Sequence, residues 1–164
     1  MKLKLTPGVC YMAGLLSQSN EEKTAVGIVT GKSEIEQRFI EIAVKELGII
    51  PAKILIEEKG TARHVFFYHS RVAKQLREII ERENYIFKTK NDFARNYVAG
   101  MFDAAGHVHR EGLKITGLKP RDEIMLSNLG VHSGRGRILN PSALIGLIKG
   151  KSIVFEESKL AKTL

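Results

Sequence analysis

The 164-residue sequence contains a single cysteine, Cys10. One thiol excludes an internal disulfide framework and any paired-cysteine metal site. No apolar run approaches the roughly 20 residues needed to span a bilayer, and the opening segment MKLKLTPG lacks the apolar stretch of a secretory signal. Low-complexity tracts and long Gly/Ser/Pro linkers are also missing, so the length suits one ordinary domain rather than two unrelated ones. Acidic residues are in deficit: 18 Asp and Glu stand against 26 Lys and Arg, a net charge of +8. That balance favours a polyanionic partner such as nucleic acid. Together these absences predict a soluble, cytoplasmic protein with no membrane partner.

Apolar residues make up 43% of the chain and charged residues 27%, enough for a buried core. Helical signals come first. Ser33-Glu34-Ile35-Glu36 has the form of a capping box, with Ile35, Phe39, Ile42 and Ala43 on one face behind it and Gly48 as a stop. A second helix is predicted after Ser70, a third after Asn140-Pro141 ending at Gly150, and a shorter one over Arg121 to Leu129. Between them lie β-like runs over Ala25–Thr30, Lys53–Glu58, Arg63–His69, Val108–Thr116 and Ser133–Leu139. Glu58-Lys59-Gly60-Thr61 reads as a hairpin turn. The mixture predicts an α+β fold.

An internal repeat organises these pieces. Tyr11-Met12-Ala13-Gly14-Leu15-Leu16-Ser17 returns 86 residues later as Tyr97-Val98-Ala99-Gly100-Met101-Phe102-Asp103. Each copy is followed by a β-like run, a helix and a Leu-Gly-aliphatic stop, which predicts a structural duplication: residues 1–85 as the N-terminal half and 86–164 as the C-terminal half of one compact pseudo-dimeric unit. Glycine inside a helix costs about 1 kcal/mol relative to alanine. Close approach of another backbone offsets that cost, because glycine has no side chain to hold a partner away. Ala13-Gly14 is therefore expected to face Ala99-Gly100 across a pseudo-twofold axis. Two ordinary core helices that happen to carry glycine are the alternative.

These two segments resemble the paired motifs of LAGLIDADG homing endonucleases. Residues 12–20 (MAGLLSQSN) align with the first motif and residues 98–106 (VAGMFDAAG) with the second, and the likeness in element order extends over roughly residues 6–150. The resemblance implies a duplicated α+β fold in which the motif helices form the central interface and two sheets make a saddle over DNA. This chain is lean, so its sheets are expected to be shortened.

The resemblance also implies a metal-binding carboxylate near the end of each motif helix. Those positions are Ser19 and Ala105, and neither supplies one. Hard divalent cations want oxygen ligands, and phosphodiester cleavage by such ions needs their charge on the reacting oxygens. The expectation is a protein that is not an enzyme, with no catalytic residues, metal or other cofactor. Asp103 matches an earlier acidic position that is mainly structural in the family, with Ser17 as its counterpart, and Asn20 replaces the first closing glycine. Glu21 or Glu22 as atypical ligands would restore a metal-dependent endonuclease. His107, His109 and His132 have no firm ligand spacing.

Charge points to where a polyanion would bind. Residues 86–164 carry a net +6, against +2 for residues 1–85. Arg135 and Arg137 are expected on one face of a strand, with Gly134 and Gly136 allowing close approach. Arg110, Lys114 and Thr116 are further candidates for an open sheet face, Lys119 and Arg121 flank the next turn, and Lys53, Arg63, His64 and His69 are candidates in the first half. Phe66 and Tyr68 alternate with Val65 and Phe67, so one pair is expected in the core; the other, where exposed, could stack on bases, but plain packing is the favoured reading. The resulting expectation is a nucleic-acid-binding protein, with DNA favoured and RNA or a ribonucleoprotein as the alternative. A protein-interaction scaffold is a further class. Both halves lie in one chain, so no obligate homo-oligomer is expected.

Overall fold

The computed structural model describes residues 2–19 and 24–163. The first half runs α1 (Pro7–Leu16), β1 (Ala25–Thr30), α2 (Ser33–Lys45), a 3-10 turn (Pro51–Lys53), β2 (Leu55–Lys59), β3 (Ala62–Tyr68), α3 (Ser70–Glu81) and the short α4 (Glu83–Ile86). The second runs α5 (Asp92–Ala105), β4 (Gly106–His109), β5 (Gly112–Ile115), α6 (Pro120–Asn128), β6 (Ser133–Gly134), β7 (Arg137–Ile138), α7 (Pro141–Ile148), the short α8 (Ile153–Glu156) and α9 (Lys159–Thr163). The two antiparallel sheets have the orders β1-β3-β2 and β4-β5-β7-β6. Among the described residues, no helix is long and apolar enough to cross a membrane.

The motif helices α1 and α5 are the centre of the molecule. Thr6 caps α1 through Oγ1, which accepts from the Val9 N–H at 3.1 Å, and Pro7 opens the first turn. Asn91 does the same for α5, its Oδ1 accepting from the Ala94 N–H at 2.9 Å. Every residue from Val9 to Leu15 and from Tyr97 to Asp103 is buried. That is the behaviour of helices surrounded by protein rather than of amphipathic surface helices. Their contact is backbone to backbone. A Cβ on Gly14 would lie 2.0 Å from the Tyr97 carbonyl oxygen, and one on Gly100 would lie 2.1 Å from the Tyr11 carbonyl oxygen. The expected pairing of the two Ala-Gly steps is therefore present, and it is reciprocal. Cys10, on α1, is fully buried, and burial pushes its thiol up to about 12, leaving it inert.

Three local expectations need correction. Lys32, not Ser33, precedes the first turn of α2 and no side chain caps it, so the capping box does not form. Asn140 precedes α7 without capping it; its amide instead bridges the His132 N–H and the Gly130 carbonyl. The runs Val108–Thr116 and Ser133–Leu139 are not single strands but hairpins. The second reverses at Arg135 (φ 54°) and Gly136 (φ 80°), the two positive φ values of a type I′ turn. The first reverses at Arg110-Glu111, with Gly112 at φ 134°.

A buried acid pair joins the end of the first half to the second. Glu83 and Asp122 are both fully buried, and Arg121 Nε approaches them at 3.8 and 4.0 Å. The Tyr97 hydroxyl donates to Glu83 Oε2. Burial, followed by the hydrogen bond with Asp122, pushes the Glu83 carboxyl up to about 8. The unfolded value is near 4.5, so between these limits the folded protein holds a proton that the unfolded chain has released. The stability contributed by this site is therefore greatest below the lower limit, falls as pH rises, and levels off above the upper one, with a slope of at most about 1.4 kcal/mol per pH unit. Urea midpoints of wild type and Glu83→Gln, compared from about pH 5 to about pH 8.5, are expected to converge at the acid end, with the variant gaining as pH rises. Parallel curves would contradict this.

Candidate nucleic-acid interface

Strand alternation assigns each sheet a helix-side face and an open face. In the first sheet Val26, Ile28, Val65 and Phe67 point to the helices, where Phe67 meets Phe39 of α2 at 6.1 Å between ring centres. In the second sheet Val108, Leu113, Ile115 and Ile138 do so. The open face of the second sheet carries a row of basic and imidazole side chains on paired residues. His107 lies opposite Lys114, and Lys114 lies opposite Arg137. His109 stacks beside His107 at 6.0 Å. A groove of about 740 Å³ at the hairpin tips is lined by Arg110, Lys114, Arg135 and Arg137, with Glu111 bonded to Arg137 at 2.9 Å.

The expected candidates divide around this row. Lys114, Arg137, Arg110 and Arg135 come together. Arg135 and Arg137 do so across a turn, not along one strand face as expected, because Arg135 occupies the turn itself. Thr116 follows Lys114 and is anchored by its N–H and hydroxyl to the Ala105 carbonyl. Lys119 is exposed at the start of α6, its N–H donating to Asp122 at 2.8 Å. Arg121 does not join the interface, because its guanidinium is drawn inward toward Glu83 and Asp122. Arg63 does not either. It shares the helix-side parity of Val65 and pairs with Glu36 at 3.2 Å and Glu58 at 3.9 Å. Lys53 ends the 3-10 turn outside the sheet, and His69 is consumed as the cap of α3, Nδ1 accepting from the Val72 N–H. His64 lies on the open face, 3.9 Å from Glu57.

The carboxyl-terminal ends of α1 and α5 meet beneath a cleft of about 1070 Å³ between the sheets. Leu15, Gln18, Ser19, Asp103 and Ala104 contribute to its floor, β1 and β4 to its walls. Among the described residues its two carboxylates, Glu157 and Asp103, are both engaged. Glu157 pairs with Lys32 at 2.7 Å. Asp103 accepts four hydrogen bonds: from the Tyr11 hydroxyl at 2.5 Å, the Ser152 hydroxyl at 2.6 Å, and the Ile153 and Val154 amides at 3.0 Å each. Arg38 lies over the Tyr11 ring at 4.8 Å and donates to the Lys151 carbonyl. Burial and the Asp103 carboxylate push the Tyr11 phenol well above its ordinary value, so it stays a proton donor. Among the described residues no three His, Cys, Asp or Glu side chains gather as a metal would need, and this donor set does not fit a hard divalent cation. Asn20, Glu21 and Glu22 lie outside the described residues.

The fold now has solved counterparts. The chain has the I-DmoI fold. A variant of I-DmoI in complex with its target DNA and manganese matches with a TM-score of 0.69 and 16% identity, over 88% of this chain and 95% of that one. Mesophilic variants of the homing endonuclease I-DmoI match at 0.66 and 16%, over 88% and 97%. I-DmoI in complex with DNA and calcium matches at 0.62 and 17%, over 80% and 76%. No family model and no curated protein matches the sequence. As in the I-DmoI fold, helices and two small antiparallel sheets make up the whole.

Sequence reasoning missed two parts of the surface. His107 and His109 have no firm ligand spacing in the sequence, and their alternation directly after Gly106 places them on the open sheet face. Val29 and Leu55, 59% and 44% exposed, also belong to an open face. Their signal was only the parity they share with Tyr68 across β3.

Proposed function

We propose that the protein binds nucleic acid, DNA by preference, through the open faces of its two sheets, and that it is a non-cleaving relative of the LAGLIDADG homing endonucleases. The observation that carries this reading is the cross-strand row His107–Lys114–Arg137 on the side of the molecule away from the helices, joined by Arg110 and Arg135 at the hairpin tips. Lysine and arginine so placed neutralise phosphates, and a planar guanidinium can also read guanine edges. Supporting it, structures sharing the fold were solved with DNA in place. The absence of cleavage rests on Ser19 and Ala105 and on the full engagement of Asp103 and Glu157.

Binding is expected to weaken steeply with salt, because phosphate contacts release counterions. In fluorescence anisotropy, Lys114→Ala or Arg137→Ala should lower duplex affinity about tenfold and reduce the salt slope by about one. Arg63→Ala should do neither. Labelled duplex incubated with Mg²⁺ or Mn²⁺ is expected to stay intact. Nicking that disappears in Glu21→Ala or Glu22→Ala would overturn the non-cleaving reading. Competition with structured RNA at equal salt decides between the two nucleic acids.

A further inference from the structure

The two open faces differ in kind. The second sheet offers His107, Lys114 and Arg137. The open face of the first sheet offers Ala25, Gly27 and Val29 on β1, Leu55, Glu57 and Lys59 on β2, and His64, Phe66 and Tyr68 on β3. Its charges nearly cancel, and Glu57 lies beside His64. The remainder is an apolar and aromatic shelf. His64 stacks on Phe66 at 4.2 Å between ring centres, and Tyr68 stands edge-on to Phe66 at 5.6 Å. Phe66 is covered by these neighbours, whereas Tyr68 is 58% exposed and Val29 59%.

A continuous duplex laid over both sheets would bring phosphates against this shelf. Duplex surfaces present phosphate oxygens and base edges, while the flat faces of the bases stay hidden in the stack. Val29, Leu55 and Tyr68 would then be desolvated against charge. Unpaired bases expose those flat faces, and stacking them on aromatic side chains is the usual means of holding a single strand. The two surfaces also border one cleft: Val29 stands on its β1 wall, and His107 and His109 stand on its β4 wall. A strand leaving the basic face reaches the shelf across that cleft.

Resting on the nucleic-acid reading above, we infer that the preferred ligand is a nucleic acid with unpaired bases: the second sheet grips phosphates, and the first sheet stacks bases on the shelf around Tyr68. The exposed Tyr68 ring is the stacking platform; Leu55, diagonal to it across β2–β3, adds apolar contact beside it, and Val29, opposite His64, extends the apolar surface toward the other end of the shelf. The same chemistry is present in a single-stranded extension of a DNA duplex and in an unpaired RNA segment.

The test uses the full chain and anisotropy at fixed salt. The probes are a blunt DNA duplex, a shorter duplex with a single-stranded extension and matched phosphate number, and the RNA counterparts of both. The extended probes are expected to bind about tenfold more tightly than the blunt ones. Tyr68→Ala should abolish that advantage and leave blunt-duplex affinity within about twofold, while Tyr68→Phe should retain it. Arg137→Ala should weaken all probes alike. Val29→Lys, a change at an exposed site, should raise blunt-duplex affinity and narrow the difference. Comparison of the DNA and RNA arms identifies the source of the unpaired bases. Equal affinity for blunt and extended probes overturns the inference, as does a preference that survives Tyr68→Ala. Either result returns the shelf to another role, such as a protein contact, with nucleic-acid binding intact. Failure of every probe to bind at low salt removes the underlying reading as well.

Discussion

Gly14→Ala and Gly100→Ala are each expected to destabilise the protein severely, although each adds a single methyl group. The added carbon would sit 2.0 Å from the Tyr97 carbonyl oxygen in one case and 2.1 Å from that of Tyr11 in the other, with amide nitrogens of Met101 and Leu15 at 2.9 Å. Those are backbone atoms inside helices, so no rotamer change can relieve the clash. The helices must move apart, and their separation opens gaps along a buried seam. Overpacking costs typically about 1–3 kcal/mol, and this case belongs at or beyond the upper end. Against a total stability of roughly 5–15 kcal/mol, one substitution should shift the urea midpoint strongly and the pair should prevent folding. Gly146→Ala in α7 is the control. It is also a helical glycine, but nothing lies within 4 Å of its added Cβ, so helix propensity should raise stability by up to about 1 kcal/mol. Unchanged midpoints for Gly14→Ala and Gly100→Ala would show that the two helices do not meet as described.

Asp103→Ala should cost about 3 kcal/mol or more, because it strips partners from two hydroxyls and two amides at once. Asp103→Asn should cost less but still clearly destabilise, since the amide NH₂ would point at hydrogen-bond donors. Both changes loosen the same joint, where α5 holds the start of α8 while Tyr11 and Arg38 tie α1 and α2 to it. Below the lowered melting temperature, nucleic-acid affinity should be unchanged. Thermal unfolding and anisotropy on the same samples separate the two effects. A variant of undiminished stability that lost a metal-dependent nuclease activity would instead make Asp103 a catalytic residue.

The centre of the fold was legible because its signal is local and repeated. A buried Ala-Gly step within an apolar helix is costly alone, and two copies 86 residues apart admit a simple explanation in which each relieves the other. The hairpins were less legible. Val108–Thr116 has the apolar content of a strand, and it turns back on itself at Arg110-Glu111, with β4 pairing antiparallel to β5 and Gly112 at positive φ. Alternation along the sequence predicts a strand position for Arg135, yet it occupies a left-handed turn position that non-glycine residues seldom take.

Charge was the least legible property at the level of single residues. Composition and the uneven distribution of Lys and Arg pointed to a polyanion and to the second half. Which cations remain available was set by tertiary partners. Arg121 is drawn to Glu83, a carboxylate 38 positions earlier, and Arg63 to Glu36 on α2. The resemblance marks Asp103 as structural, but its partners are visible only in the fold: three donors come from the start of α8 and the fourth from Tyr11 on α1.

By itself, then, the sequence determined the α+β plan and the glycine seam at its heart, since these depend on residue type and spacing, while the resemblance of its motifs singled out Ser19 and Ala105 as positions without carboxylates. Only the tertiary structure decided which basic side chains share the open surface and that one sheet is cationic while the other is aromatic. Ion pairs and cross-strand rows join residues far apart in the chain, and the energy of a buried charge depends on whichever neighbour folding brings beside it.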